Sequence, residues 1–308
     1  MYTMLIVNPA SGQGKAAREK RRLLGLVSNM PHIHVRVATR PGEEEVLASE
    51  AAAKGFDRVI VAGGDGTINK VVNGIGDSGL SVGVIPLGTG NVLANALGIP
   101  TDDIIRALEI IGANKVRAVD LARARMHPLK EGAVEGPRED TRLFVLMAGF
   151  GFDAAVVEQV SSKVKNVFGT IAHFACGRRA VGQIQPTRFR LALDEGVTYE
   201  SKAYAVIVAN CGTYAHKFKI APKAVFDDGL LDIIVFEAGS GGAWQLIGRC
   251  LSLVFRTTVA GHAATYLKTA RVRVDSDPPV KVQVDGDVVG TTSVDIEVLP
   301  RSLRLIVP

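Results

Sequence analysis

The chain has 308 residues, 47% hydrophobic and 22% charged, enough for one large or two ordinary globular domains with a sizeable core. Its net charge of +5 admits nucleic acid, an anionic membrane surface or phosphorylated ligands without choosing among them, but 6% aromatics with no RNP-like run argue against nucleic acid. Cys176, Cys211 and Cys250 lie far apart without CxxC spacing, which argues against a disulfide framework or zinc site and is compatible with a reducing cytosol.

No basic-then-apolar leader precedes the first strand, Met4–Asn8, and uncharged runs such as Ala203–Ala215 fall short of the ~20 residues that span a bilayer; a cytoplasmic location is expected. The turn Asn8-Pro-Ala-Ser-Gly-Gln-Gly14 follows that strand, then a helix over Lys15–Ser28 with Leu23, Leu24 and Val27 inward. A strand over Ile33–Ala38 and an Ala- and Glu-rich helix over Glu43–Lys54 come next. Arg58–Ala62 is a buried β-branched run that stops in Gly63-Gly-Asp-Gly66, and Thr67–Ile75 continues as a helix. Ser81–Ile85 is another buried strand, ending in Pro86-Leu-Gly-Thr-Gly-Asn91 before the helix Val92–Leu97; a further helix runs from Asp102 to Ile111. This alternation with short connections predicts a parallel sheet with helices on both faces. Such sheets bind ligands beyond the carboxyl ends of their strands, and all three glycine loops fall at such ends.

After about residue 115 the pattern changes. Val116–Arg125 alternates, 126–140 is polar, Arg142–Ala148 is a strand and Phe152–Gln183 is a long helical candidate. Strands then dominate: Thr187–Leu193, Ala203–Asn210, Leu230–Phe236, Arg271–Val274, Val280–Asp285, Val294–Val298 and Leu303–Val307, with one clear helix at Trp244–Phe255. The expected fold is an α/β Rossmann-like domain over 1–120 and an antiparallel β-sandwich over 121–308. Whether the last strand returns to the first domain stays open.

The glycine turns present backbone N–H groups at helix N-termini, where the dipole favours an anion. Walker spacing is absent, which rules out P-loop ATPases. Asp65 sits where a bare phosphate would be repelled, so a cation or a transferred proton is needed there; with Thr67 available as a cap, Asp65 is expected to point outward. Two late acidic clusters stand out. Phe226-Asp-Asp-Gly-Leu-Leu-Asp232 is a turn into a strand, or a hard-cation site of carboxylate and carbonyl oxygens. Val284-Asp-Gly-Asp-Val288 is a hairpin signal, or a pair in which one acid acts as general base on a hydroxyl. The histidines show no metal spacing.

Asn8–Gly12, Gly63-Gly-Asp-Gly-Thr67 with Asn69 and Asn73, Pro86–Asn91, Asp227–Asp232 and Asp285-Gly-Asp287 stand in one order along nearly the whole chain. Together they resemble the diacylglycerol kinase catalytic-domain family, which includes bacterial lipid kinases and the sphingosine and ceramide kinases. The resemblance implies ATP-dependent phosphorylation of a lipid hydroxyl in a cleft between a Rossmann-like domain and a β-sandwich, in a peripherally membrane-associated enzyme. It implies nucleotide contacts at Asn8, Pro9, Ala10, Ser11, Gly12, Thr39, Gly64, Asp65, Gly66, Thr67, Ile68, Asn69 and Thr89. It implies a structural Mg²⁺ held by the Asp228 carboxylate and the carbonyls of Val225 and Leu230, joined through water by Asp65, with a second Mg²⁺ travelling with ATP. Asp287 is then the base and Asp285 its partner. Two departures stand out: Lys70 where the family often has Glu, and Asp287 where the late motif usually has Glu. Lipid entry is expected near Ala154–Ile184, where Phe168, Ile171 and Phe174 lie among Lys163, Lys165, Arg178 and Arg179. The alternatives are a soluble-substrate kinase of the NAD kinase kind and a catalytically weak nucleotide-binding regulator; a homodimer is left open.

Overall fold

The computed structural model describes residues 1–11, 15–28, 30–127, 141–151, 185–215, 218–239 and 264–308. The helices expected over Phe152–Gln183 and Trp244–Phe255, most of the polar stretch 126–140, and Gly12 lie outside these residues. The chain divides into two compact units, one of Met1–Leu121, Ala215–Lys217 and Pro300–Pro308, the other of Ala122–Tyr214 and Phe218–Leu299.

In the first unit, β1 (Thr3–Val7), α1 (Lys15–Val27), β2 (Ile33–Val37), α2 (Glu43–Ala53), β3 (Arg58–Gly63), α3 (Asp65–Ile75), β4 (Ser81–Pro86), α4 (Val92–Leu97) and α5 (Ile104–Ala113) alternate as their periodicities require. The strands run parallel in the order β4-β3-β1-β2. Every residue of β1 and β4 is buried, the mark of strands covered on both faces. Leu5, Val7, Ile60, Ala62 and Ile85 share one cluster with Leu23 and Val27 of α1 and Ile110 and Ile111 of α5. The opposite face, with Ile6, Val59 and Val61, is buried under α2 and α3.

The remaining strands are β5 (Val116–Met126), β6 (Thr141–Phe144), β7 (Met147–Gly151), β8 (Thr187–Leu193), β9 (Thr198–Ala209), β10 (Thr213–Ala215), β11 (Phe218–Lys219), β12 (Leu231–Glu237), β13 (Thr265–Thr269), β14 (Arg271–Asp277), β15 (Lys281–Val284), β16 (Asp287–Thr291) and β17 (Val294–Ile306). In the second unit they pair in the order β16-β15-β7-β9-β8-β14-β17, antiparallel wherever register is defined, with β12 between β9 and β13 and β5 between β17 and β6. Alternate residues such as Phe189, Leu191, Val272, Val274, Val294 and Ile296 fill one core, while Arg271 and Arg273 stand opposite Glu297 and Asp295 on the wet face. The two short strands expected over Val294–Val298 and Leu303–Val307 are one strand. Arg301 takes up the break at Pro300 with φ 51°, and its N–H donates to the buried Asp120 carboxylate at 2.7 Å. Beyond that point β17 belongs to the first unit, where Arg304 and Leu305 pair with Ser81 and Val82 of β4.

The α2–α3 contact is close enough to need glycine. A Cβ on Gly74 would lie 2.2 Å from the Glu45 carbonyl oxygen and 2.8 Å from Ala48 Cβ, whereas one on Gly25 of α1 would meet nothing within 4 Å. Gly74→Ala should therefore destabilise by about 1–3 kcal/mol despite its better helix propensity. Gly25→Ala should stabilise by about 0.4–1 kcal/mol. Urea unfolding of both variants checks the pair, and equal signs would refute the packing argument.

In the second unit, burial alone would raise the Asp194 pKa. Hydrogen bonds from the Thr269 hydroxyl and from the N–H groups of Ala270 and Arg271 outweigh it and hold it below the ordinary 3.8. A depressed carboxylate contributes stability above its ordinary pKa and loses it as pH falls through the folded-state value. Asp194→Asn should therefore flatten the acid limb of the stability curve below about pH 4 and leave the neutral-to-alkaline slope unchanged, as read by thermal melting across pH.

Candidate active site

The three glycine loops lie at the carboxyl ends of three adjacent strands, β1, β3 and β4, and side chains join them. At the end of β1, Asn8 Nδ2 donates to Thr67 Oγ1 at 3.0 Å and to Glu44 Oε1 at 2.6 Å, while Asn8 Oδ1 accepts from the Ala10 N–H at 2.8 Å. Ser11 Oγ lies 3.1 Å from Thr67 Oγ1. Thr67, 4% exposed, thus ties the first loop to the second.

The second and third loops meet at two points. Gly64 and Gly88 touch backbone to backbone: a Cβ on Gly88 would lie 2.5 Å from Gly64 Cα. Asp65 spans the same gap with its carboxylate, accepting from the Val92 N–H at 2.9 Å and the Leu93 N–H at 3.0 Å. Within the third loop Asn91, buried and left-handed at φ 46°, closes the turn by accepting from the Gly88 N–H and donating to the Gly88 carbonyl. The expectation that Thr67 caps α3 while Asp65 points outward is therefore corrected. α3 has no side-chain cap, Thr67 faces Asn8 and Ser11, and Asp65 caps α4 because two otherwise orphaned N–H groups of that helix face it.

The other residues expected to contact nucleotide divide by exposure. Pro9, Ala10 and Thr89 are exposed, Ser11, Gly64 and Gly66 half-buried. Ile68 and Asn69 are buried, and the Ile68 N–H donates to the Gly64 carbonyl. Thr39 is exposed but engaged locally, its N–H and hydroxyl both donating to Glu43; these bonds hold the Glu43 carboxyl below its ordinary value. Glu44 was not foreseen from sequence. It is 2% exposed, accepts from Asn8 and from the Gly42 N–H, and has Lys70 Nζ 3.9 Å away. The departure at Lys70 is thus a counter-charge to a buried acid.

The second unit holds the other candidates. Asp285 and Gly286 form the positive-φ corner of the β15–β16 hairpin, φ 46° and 92°, as Asp-Gly favours. The Asp285 carboxylate accepts from the N–H groups of Val145, Leu146 and Met147, each at 2.9 Å, which fixes the turn against the β6–β7 connection. Asp287, the first residue of β16, is exposed. Val284 of β15 pairs with Ala148, Ala148 with Val208, and Val208 with Ile233. The Asp285 turn and Asp232 therefore sit at one end of the sheet, about three strand spacings or ~14 Å apart.

The Asp227–Asp232 turn is built differently from a metal cradle. Asp228 Oδ1 accepts from the Leu230 N–H at 3.1 Å, and Asp228 Oδ2 is 2.8 Å from Lys268 Nζ. Val225 is exposed. Among the described residues no three His, Cys, Asp or Glu side chains group as metal ligands. The donor set suits a hard cation, but both Asp228 carboxylate oxygens already have donors, a backbone N–H on one and an ammonium on the other, so the residues as arranged do not fit that ion. The stretch Ala154–Ile184 expected to meet lipid lies outside the described residues, and among those described no helix is long and apolar enough to cross a membrane.

If Asp65 caps α4, Asp65→Ala should cost about 0.5–2 kcal/mol without any ligand present, measured by urea unfolding in nucleotide-free buffer. An unchanged midpoint would show that the cap contributes nothing.

Residues 2–124 match the family model of the diacylglycerol kinase catalytic domain, and residues 147–307 match that of the YegS C-terminal NAD kinase beta sandwich-like domain. A diacylglycerol kinase of Bacillus subtilis is 27% identical over 99% of this chain and 95% of its own. A probable lipid kinase YegS-like of Stenotrophomonas maltophilia is 27% identical over 90% of this chain and 87% of its own. The crystal structure of a putative diacylglycerol kinase from Bacillus anthracis superposes with a TM-score of 0.78 at 25% identity, covering 100% of this chain and 97% of its own.

Proposed function

The chain belongs to the diacylglycerol kinase catalytic-domain family, and from that premise we propose that it transfers the γ-phosphate of ATP to a lipid hydroxyl at a membrane surface. The observation that carries the proposal is the joining of the three glycine loops by Asn8, Ser11, Thr67 and Asp65 at the carboxyl ends of adjacent strands. A cradle fixed this way keeps the N-terminal turn of α3, which starts at Asp65, in place for an anion. Preorganised N–H groups stabilise charge on a transferring phosphoryl group without reorganising during the reaction. ATP enters as its magnesium complex, and no step is assigned to a metal at Asp228.

Asp287 is the proposed base. It is exposed at the hairpin and takes the proton of the lipid hydroxyl as that oxygen forms a bond to the γ-phosphorus and the bond to the β-phosphate oxygen breaks. Asp285 is a positioning residue, since its carboxylate is committed to three backbone N–H groups. Lys70, a feature that favours a weak regulator, is accounted for by its pairing with Glu44.

Transfer of label from γ-labelled ATP is measured against diacylglycerol, ceramide, a sphingoid base and phosphatidylglycerol in mixed micelles, with NAD beside them. One lipid should be labelled. Asp287→Asn should lower kcat by about 10²–10⁴-fold, the usual contribution of a general base, with the melting temperature unchanged. Labelling of NAD alone, or full turnover by Asp287→Asn, would overturn the proposal.

A further inference from the structure

The Asp228 turn carries a cation of its own. Lys268 of β13 stands directly opposite Asp232 of β12 in the antiparallel register, so both side chains share one face of the sheet. From there Lys268 Nζ reaches 2.8 Å from Asp228 Oδ2 and 3.6 Å from Asp232 Oδ2. The Asp232 side chain is 1% exposed. Its Oδ1 accepts from the Tyr266 hydroxyl, and its Oδ2 is buried without a hydrogen bond. Lys223 Nζ lies over the Tyr266 ring, 5.2 Å from its centroid, within cation–π reach.

A carboxylate buried to this degree is strongly unfavourable unless a cation accompanies it. Two observations agree on where that cation sits: the strand register, and the position of Nζ close both to Asp228 Oδ2 and to the Asp232 oxygen that has no hydrogen bond. The hydrogen bond to Asp228 favours the charged ammonium and, against desolvation, holds the Lys268 pKa above its ordinary value.

We propose that the Lys268 ammonium replaces a bound divalent cation at the Asp228–Asp232 turn, and that this turn becomes a divalent-cation site when the lysine charge is removed. From β13, Lys268 links Asp228 in the turn to Asp232 at the start of β12. Without it the two carboxylates and nearby backbone carbonyls form an oxygen-only donor set of the kind Mg²⁺ and Mn²⁺ take. The inference concerns binding and stability at this turn, so it stands or falls separately from the kinase activity.

The test uses the full chain in nucleotide-free buffer, with Mn²⁺ binding followed by electron paramagnetic resonance and melting followed with and without EDTA. Wild type should melt at one temperature in EDTA and in millimolar Mg²⁺, and should hold no Mn²⁺ that Asp228→Asn removes. Lys268→Met should melt several degrees lower in EDTA, recover in Mg²⁺, and bind one additional Mn²⁺ at least tenfold more tightly than wild type. Lys268→Met with Asp228→Asn should lose that ion, and Lys268→Arg should behave as wild type. Should Lys268→Met fail to fold, the wild type and Asp228→Asn decide: equal Mn²⁺ binding supports the lysine, and an ion lost with Asp228 overturns it. A folded Lys268→Met that gains no Mn²⁺ also overturns it.

Discussion

Gly64 and Gly88 meet with no side chain between them, and much of the first unit's functional end depends on that approach. A single methyl on Gly88 would sit 2.5 Å from the neighbouring Cα, inside any allowed contact, and would push the β3 and β4 loops apart. The same gap is bridged by the Asp65 carboxylate, whose two bonds at 2.9 and 3.0 Å are charge-assisted. Separating the backbones would pull Asp65 off α4 and leave two helix N–H groups without their partner. The glycines and the acid of Gly63–Gly66 therefore have linked purposes: close approach, then a tie across it.

The acid at the centre of the loop takes a different physical meaning from this. Along the sequence, a carboxylate among glycine-loop N–H groups is repulsive to a bare phosphate and calls for a cation or a transferred proton. In the fold its charge is directed at the positive end of α4, so part of it is neutralised before any ligand arrives. The loop can then hold a negative ligand at the N-terminus of α3 while its own negative charge is occupied elsewhere.

The local pattern was legible because it is written locally. β-Branched runs ending in glycine give buried strands and tight turns, and the boundaries of α4 and β8 follow directly. What was not legible involves partners distant in sequence or conflicting local signals. The partner of Asp65 is 27 residues downstream, that of Asp228 is 40 residues away, and nothing in the intervening composition marks either. Pro300 reads as the end of a strand, yet β17 passes through it because the buried Asp120 captures the Arg301 N–H. β16 was missed because Asp287–Thr291 carries little alternation and is half exposed; the Asp-Gly corner beside it was recognisable, but not the commitment of Asp285 to the β6–β7 backbone.

Two lysines show one solution applied in both units. Glu44 and Asp232 are 2% and 0% exposed, and each has a lysine within ion-pair distance, Lys70 at 3.9 Å and Lys268 at 3.6 Å. Buried carboxylates near a ligand loop or turn must be compensated in the empty protein as well as in the loaded one. A metal does this only while it is bound, whereas a lysine does it permanently but gives up some adaptability. Where the chain carries its own ammonium, an incoming cation gains only the difference between its own attraction and that of the lysine it displaces. The presence of a hard-oxygen donor set in a sequence is then insufficient to place a metal. The decisive information is whether a neighbouring strand delivers a competing charge, and at the Asp228 turn the register of β12 against β13 delivers one.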